Sequence, residues 1–135
     1  MSDAQNLAYA TVQILHNFGA VAAVGGSVSA MLASPKDRRK PAWIAFAGWV
    51  TQAVSGPAFG MLSFYFYHRF PDIAGIAVAA LTIKIVCAVL GFLLVTAYIL
   101  PRPRCRERFE TLVWPASTAL AATALTAAAV LRWFA

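Results

Sequence analysis

Four long apolar stretches constrain what this chain can fold into more than any other feature. They cover residues 7–32, 42–67, 73–100 and 112–134, which are 26, 26, 28 and 23 residues long. A helix needs roughly 20 apolar residues to cross the hydrocarbon core of a bilayer. The pattern therefore predicts an all-α fold, a bundle of four transmembrane helices.

The composition leaves little room for any other structure. Hydrophobic residues make up 61% of the chain and charged residues only 12%, about half the charged share of an ordinary soluble domain. A water-soluble fold with so few charges would expose too much apolar surface. We therefore expect residues 1–135 to form a single integral membrane domain with short connections between its helices.

Basic residues cluster in two of the three connections and predict the orientation. Residues 34–41 (SPKDRRKP) and 101–110 (PRPRCRERFE) are strongly basic, whereas residues 68–72 (HRFPD) are nearly neutral. The positive-inside rule places the two basic connections in the cytoplasm, so both termini face outward (N-out/C-out) in a bacterial inner membrane. Topology and contact with the anionic headgroups of the lipid bilayer explain the net charge of +6, and nucleic acid is excluded as a partner.

Each predicted helix carries one strongly polar group on a face otherwise made of small residues. A rise of about 1.5 Å per residue places all four groups roughly 14 to 16 Å from a helix end, near the midplane of the bilayer. Small residues let helices approach closely in a membrane, so these faces are expected to meet. The four polar groups are His16, Gln52, Lys84 and Thr123.

Lys84 is the most informative residue of the chain, because a lysine at the bilayer midplane costs about 2.5 to 3.5 kcal/mol on insertion scales. A structural interpretation lets Lys84 snorkel to an interface or bond to Gln52 and backbone carbonyls. A functional interpretation makes Lys84 a cation beside an anionic cofactor or in a proton path. The sequence leaves both interpretations open.

His16 also has two interpretations. It is either a neutral imidazole hydrogen-bonded between helices or a ligand for haem or copper. A haem held by both histidines is disfavoured, since His16 and His68 differ in height by ten residues, roughly 15 Å in straight helices. For copper, Met61 and His68 lie seven residues apart on one face near the outer surface, as in a metal entry site.

The sequence excludes several classes of enzyme and transporter more firmly than it supports any class. The sequence has no glycine-rich phosphate loop, no Ser-His-Asp order and no carboxylate inside a predicted span. A carboxylate-driven transporter and an enzyme using paired carboxylates are therefore disfavoured. The candidate cofactor-binding residues are His16, Lys84 and Gln52, and the candidate metal ligands are His16, His68 and Met61; no catalytic residue is assigned.

Three segments resemble the CopD-like integral membrane domain of bacterial copper-resistance proteins and related four-helix membrane proteins. They are Leu15 to Gly26 (LHNFGAVAAVGG), Ser55-Gly56, and Leu81 to Pro101 (LTIKIVCAVLGFLLVTAYILP). The resemblance implies that the protein handles copper or b-type haem through His16, with Lys84 nearby. The layout is also similar to the HemJ-type protoporphyrinogen oxidases, which have a histidine in the first helix and a lysine in the third.

Three functional hypotheses follow. The first is a CopD-like protein that handles a metal or metal cofactor, copper or haem b, in electron transport. The second is a non-catalytic accessory subunit whose smooth fourth helix and aromatic outer edge pack against a larger respiratory or photosynthetic complex or against another copy. The third is a HemJ-like protoporphyrinogen oxidase. A prosthetic group that depends on His16 distinguishes the first hypothesis from the second.

Overall fold

The computed structural model describes residues 2–100 and 106–134, which form four helices. These are α1 (Asp3–Leu32), α2 (Arg39–Tyr67), α3 (Ile76–Ile99) and α4 (Arg106–Phe134). No strand occurs within these two ranges. The prediction of an all-α fold is confirmed, and each helix coincides with one of the four apolar stretches.

Three of the helices are long and apolar enough to cross a membrane. They are α1, α3 and the part of α4 from Phe109 to Phe134. Helix α2 has 29 residues but is not among the helices that are both long and apolar enough. It begins with two basic residues and contains several polar ones near its middle, such as Thr51 and Gln52. The fourth span therefore stays a prediction from the sequence.

Polar contacts mark both ends of α1. The Ser2 hydroxyl accepts a hydrogen bond from the Gln5 amide at 3.3 Å, which satisfies one of the free N–H groups of the first turn. At the other end, Arg38 Nε donates to the carbonyls of Ala30 and Ala33 at 3.1 and 3.0 Å. The basic connection thus caps the helix that precedes it.

Helix α3 starts later than the sequence predicted, because the connection between α2 and α3 is longer. Helix α2 ends at Tyr67 and is followed by His68, whose φ of 53° is left-handed; α3 begins after Gly75, whose φ is 55°. A positive φ cannot continue a right-handed helix, and glycine adopts it without a Cβ penalty. Helix α3 therefore starts at Ile76, whereas the apolar stretch predicted a start at Ile73.

The helices form two antiparallel hairpins, α1–α2 and α3–α4, with more extensive packing within each hairpin than between them. Helix α1 also contacts α4, and α2 contacts α3, so α3 lies diagonally across the bundle from α1. We call the end that carries residues 33–38 the basic end. The opposite end, which carries Tyr67 and Trp133, is called the aromatic end.

Glycines set the closest approach within the α1–α2 hairpin. A Cβ on Gly48 would overlap the backbone of Ala23, and a Cβ on Gly26 would overlap the backbone of Ala45. Farther along α2, Gly56 and Gly60 form a step of two small residues four positions apart, a spacing typical of helix contacts in membranes. A Cβ on Gly56 would meet nothing within 4 Å, and one on Gly60 would meet only the Phe70 ring, so that step is not where α2 packs.

The core is densest toward the basic end. The Trp49 ring covers Gly91, and Trp114 packs edge-on against Tyr98 with ring centroids 4.7 Å apart. Trp43 and Trp114 both lie toward the basic end of their helices. Trp43 is half-exposed there, but Trp114 is 1% exposed and belongs to the core.

Candidate functional site

His16 is held in the interior between α1 and α2. Its side chain is only 8% exposed. The ring nitrogen Nδ1 lies 2.7 Å from Ser55 Oγ, and the ring meets Phe59 edge-on with centroids 5.7 Å apart. Both contacts come from α2, because the close approach of the two backbones at Gly48 brings that face of α2 against His16.

Lys84 reaches His16 from the opposite hairpin. Its Nζ lies 2.9 Å from His16 Nε2, although α3 is diagonal to α1 in the bundle. Among the hydrogen bonds of the described residues, this is the one that joins α1 to α3. Lys84 is half-buried: its long side chain reaches inward to His16, and part of the residue remains accessible.

Gln52 also contacts His16, but through the backbone. Its Nε2 donates to the His16 carbonyl at 2.6 Å. The amide therefore fixes α2 against α1 one turn before Ser55 and does not touch the imidazole. The three candidate cofactor-binding residues His16, Gln52 and Lys84 are brought together, as their equal predicted depths required.

The directions of the hydrogen bonds around His16 follow from the single hydroxyl proton of Ser55. The Ser55 hydroxyl donates to the Thr51 carbonyl, so its oxygen can only accept from His16 Nδ1. The proton of the neutral ring is then on Nδ1, which leaves Nε2 as the acceptor for Lys84. Lys84, His16, Ser55 and the Thr51 carbonyl thus form an ordered chain of donors and acceptors, called the polar chain below.

Thr123, predicted at the same depth, does not join this group. Its side chain is exposed, and its hydroxyl donates to the Ala119 carbonyl of its own helix at 2.9 Å. A threonine that returns its proton to the preceding turn satisfies itself without a partner helix. The site is therefore built by α1, α2 and α3, and α4 contributes none of the contacts described for it.

The candidate metal ligands are not assembled. Met61 is 70% exposed, and His68 is an exposed residue at the end of α2. His68 follows Ser55 by thirteen residues, about 20 Å along the helix, so it lies far from the imidazole that Ser55 contacts. In the described ranges, no group of three or more His, Cys, Asp or Glu side chains could hold a metal ion.

No carboxylate lies beside Lys84 in the part of the chain that the structure describes. Its acidic residues lie near helix ends or in connections: Asp3, Asp37, Asp72, Glu107 and Glu110. Cys87 is a buried free thiol on α3, and Cys105 lies outside the described residues. His16 is thus the hydrogen-bond partner that the structure gives to Lys84.

A second buried polar cluster was not predicted from the sequence. Trp49 Nε1 donates to Ser117 Oγ at 3.1 Å, and Ser27 Oγ lies 2.8 Å from the same atom. This cluster joins α4 to both helices of the first hairpin. Ser27 lies three helical turns after His16 on the same face of α1, but nothing in the sequence pairs it with Ser117.

Ser55 and Phe59 are the residues of the site that the sequence missed. Ser55 follows Gln52 by three residues on the same face of α2, so a second polar group beside Gln52 was the signal.

No protein-family model, curated protein or solved structure matches this chain. The geometry around His16 and Lys84 therefore carries the functional argument.

Proposed function

We propose that this chain is a small membrane protein that holds the polar end of a lipophilic molecule at Lys84 and His16. One observation carries the proposal: Lys84 has three donor positions in an apolar setting, and among the described residues the structure gives it one hydrogen-bond partner, His16 Nε2. Ionisable residues within spans are costly and mark binding or transport sites by default. A ligand oxygen would satisfy the remaining donors.

The ligand class follows from the charge and accessibility of the site. With no carboxylate beside Lys84 among the described residues, a carboxylate or a carbonyl oxygen is the complementary group. The neighbours of Lys84 on the outer face of α3 are the exposed apolar residues Ile83 and Ile85. A molecule that reaches Lys84 past them is itself lipophilic.

Haem b is one occupant whose chemistry suits these residues. It carries an iron that binds an imidazole nitrogen and two carboxylates that can pair with a lysine. His16 Nε2 would be the iron ligand, with Ser55 orienting the ring through Nδ1. Lys84 now occupies the same Nε2 lone pair, so iron and Lys84 compete for it. Copper suits the site less, since the other candidate copper ligands, Met61 and His68, do not lie beside His16.

The membrane topology is part of the same proposal. We propose that α2 also crosses the bilayer, because it runs antiparallel to α1 and directs Gln52 and Ser55 toward that helix rather than toward lipid. The basic connection at residues 34–41 supports a cytoplasmic basic end, with both chain ends outside a bacterial inner membrane. Selective labelling of Lys36→Cys from the cytoplasmic side is expected.

Ligand titration tests the proposed site. The detergent-purified chain is titrated with hemin, followed by oxidised and dithionite-reduced spectra, and separately with palmitate. Wild type is expected to bind at least one of them tenfold or more tightly than Lys84→Met. His16→Gln should abolish the spectral change with hemin but retain part of the palmitate affinity.

Lys36→Met is the matched control, because it removes the same charge from the exposed basic connection. It should bind both ligands as wild type does. Equal affinities of wild type and Lys84→Met for both ligands would overturn the proposal. Stoichiometric copper in wild type that is lost in His16→Gln would replace it with a metal site.

The surface of the second hairpin favours a second candidate function, an accessory subunit. A groove of about 430 Å³ runs between α3 and α4 toward the aromatic end. Small and apolar side chains line it, as at helix contacts in membranes. Thr126→Phe would fill this groove. A shift of the chain from a large complex to a small one in native gels of Thr126→Phe would support this function, and a small species already in wild type would exclude it.

A further inference from the structure

The polar chain has the arrangement of an activated nucleophile. An amine attacks only after it loses a proton, and a base within about 2.6 to 3.2 Å that is itself oriented by a third group is the signature of such activation. Lys84 Nζ lies 2.9 Å from His16 Nε2, and His16 Nδ1 lies 2.7 Å from Ser55 Oγ. Nucleophile, base and orienting group are therefore all present.

We propose that Lys84 condenses with a membrane-soluble aldehyde to form an imine. The proposal rests on the ligand site proposed above and specifies its ligand as an aldehyde with a long apolar chain. A site that only binds an anion needs the positive charge of Lys84. It does not need a proton acceptor next to the Lys84 amine. Here the imidazole nitrogen that faces Nζ is the unprotonated one, as the Ser55 hydrogen bonds require.

The surroundings restrict which aldehyde can reach the amine. His16 is almost completely buried and Phe59 meets its ring edge-on, whereas Lys84 is half-buried, so an incoming molecule reaches Nζ from the α3 side. That side lies among the exposed apolar residues of α3, which face lipid in a membrane. A long-chain aldehyde would keep its chain in lipid and bring only its carbonyl to Nζ.

The reaction balances without an oxidant or reductant. A proton moves from Lys84 Nζ to His16 Nε2, while Nδ1–H remains bonded to Ser55 Oγ. The Nζ lone pair then forms a bond to the carbonyl carbon, and the C=O π electrons move to oxygen. His16 returns the proton to that oxygen, which gives a carbinolamine. His16 then takes the second proton from Nζ and passes it to the hydroxyl group, which leaves as water as the C=N bond of the protonated imine forms.

Reductive trapping tests the reaction on the full chain. The detergent-purified protein is incubated with hexadecanal and sodium cyanoborohydride, and the modified lysines are located by peptide mass spectrometry. The chain contains three lysines, Lys36, Lys40 and Lys84, so the two exposed ones serve as internal references. Modification of Lys84 is expected to be at least tenfold faster than that of either reference.

Two variants separate activation by His16 from simple enrichment of the aldehyde in the micelle. His16→Gln should slow the modification of Lys84 at least tenfold. Ile85→Lys in a Lys84→Met background places an amine at a similar depth on a lipid-facing position. That amine should react as slowly as Lys84 does in His16→Gln. Circular dichroism and gel filtration verify that both variants remain folded.

Three results would overturn the proposal: modification of Lys84 no faster than that of Lys36, an unchanged rate in His16→Gln, or an equal rate at position 85. Failure here is distinguishable from failure of the ligand site itself. If palmitate or hemin binding depends on Lys84 but hexadecanal is not trapped, the ligand site stands and the covalent step is wrong. If neither binds nor reacts, both proposals are wrong.

Discussion

At the scale of single residues, the proton of Ser55 determines the chemistry of the site. Because Ser55 donates to the Thr51 carbonyl, its oxygen is available to His16 only as an acceptor. The imidazole is thereby oriented with Nε2 toward Lys84, which is the nitrogen that a base or a metal ligand uses. One buried hydroxyl of α2 thus decides what a histidine of α1 presents to a lysine of α3.

The protonated nitrogen of His16 is a direct prediction. In a His68→Gln background His16 is the remaining histidine, and ¹⁵N spectra should show a neutral ring with its proton on Nδ1. Ser55→Ala removes the acceptor of that proton and should produce a mixture of both tautomers. Ser63→Ala is the control, because the Ser63 hydroxyl donates to the Arg69 carbonyl and is remote from the ring. A proton on Nε2 in the parent protein would contradict the donor order.

At the scale of helices, backbone proximity at glycines decides which faces meet. The α1–α2 hairpin is closed where Gly48 meets Ala23 and where Gly26 meets Ala45. In a membrane, helix association gains nothing from burying apolar surface, so close backbone packing replaces that driving force. The same contact brings Gln52 and Ser55 of α2 against His16, so the packing of this hairpin and the geometry of the site are inseparable.

Gly48→Ala should therefore open the hairpin. Its new methyl group would overlap the backbone of Ala23, which cannot move aside as a flexible side chain could. We expect a loss of about 1–3 kcal/mol in the free energy of unfolding, measured by SDS titration in mixed micelles with far-ultraviolet circular dichroism. Gly56→Ala is the matched control on the same helix, since a Cβ there meets open space. Equal losses in the two variants would contradict this account of the packing.

The end of α1 gives a second prediction at this scale. Arg38 Nε bonds to two carbonyls of α1 that lack partners within the helix, those of Ala30 and Ala33. Arg38→Met keeps an unbranched stem as far as the position of Nε and removes both bonds. The free energy of unfolding should fall by about 1–2 kcal/mol in the same SDS titration.

Arg39→Met removes the same charge one residue later, from an exposed position for which the structure shows no such contact. It is expected to change the free energy of unfolding little. If Arg38→Met and Arg39→Met behave alike, the effect belongs to the charge of the connection and not to the capping bonds.

At the scale of the whole molecule, two buried polar contacts among the described residues join the hairpins. The polar chain joins α1 to α3 near the middle, and the Ser27–Ser117–Trp49 cluster joins α4 to the first hairpin toward the basic end. Packing between the hairpins is less extensive than packing within them, so these contacts matter more than their number suggests. Buried polar groups in lipid also enforce one arrangement, because an alternative would leave them unpaired.

Ser117→Ala tests the cluster as a link between hairpins. The substitution leaves Trp49 Nε1 and the Ser27 hydroxyl without the atom they share. We expect a loss of about 1–2 kcal/mol in the free energy of unfolding, together with a shift of Trp fluorescence. Thr123→Ala on the same helix is the control, because its hydroxyl bonds within α4. A double-mutant cycle with Ser27→Ala should show a coupling energy, and strict additivity would exclude the link.

The comparison of sequence and structure shows what each contributed. Hydrophobicity over about 20 residues determined by itself that four helices form and approximately where they lie, since in lipid a helix satisfies its own backbone hydrogen bonds. The depth of a polar residue also follows from position along a helix, and it correctly grouped His16, Gln52 and Lys84. Thr123 lies at a similar depth but is exposed and bonds within α4, because depth does not determine which way a side chain faces.

The tertiary structure decided which face of each helix contacts its neighbours, and it therefore decided which residues form the site. Which glycine is a contact, Gly48 rather than Gly56, depends on the neighbour that each one meets. The pairing of Ser55 with His16 and of Ser117 with Trp49 joins residues 39 and 68 positions apart. No periodicity within one helix encodes such pairs, because the rotation of one helix against another is determined by packing across their interface and not by the sequence of either helix alone.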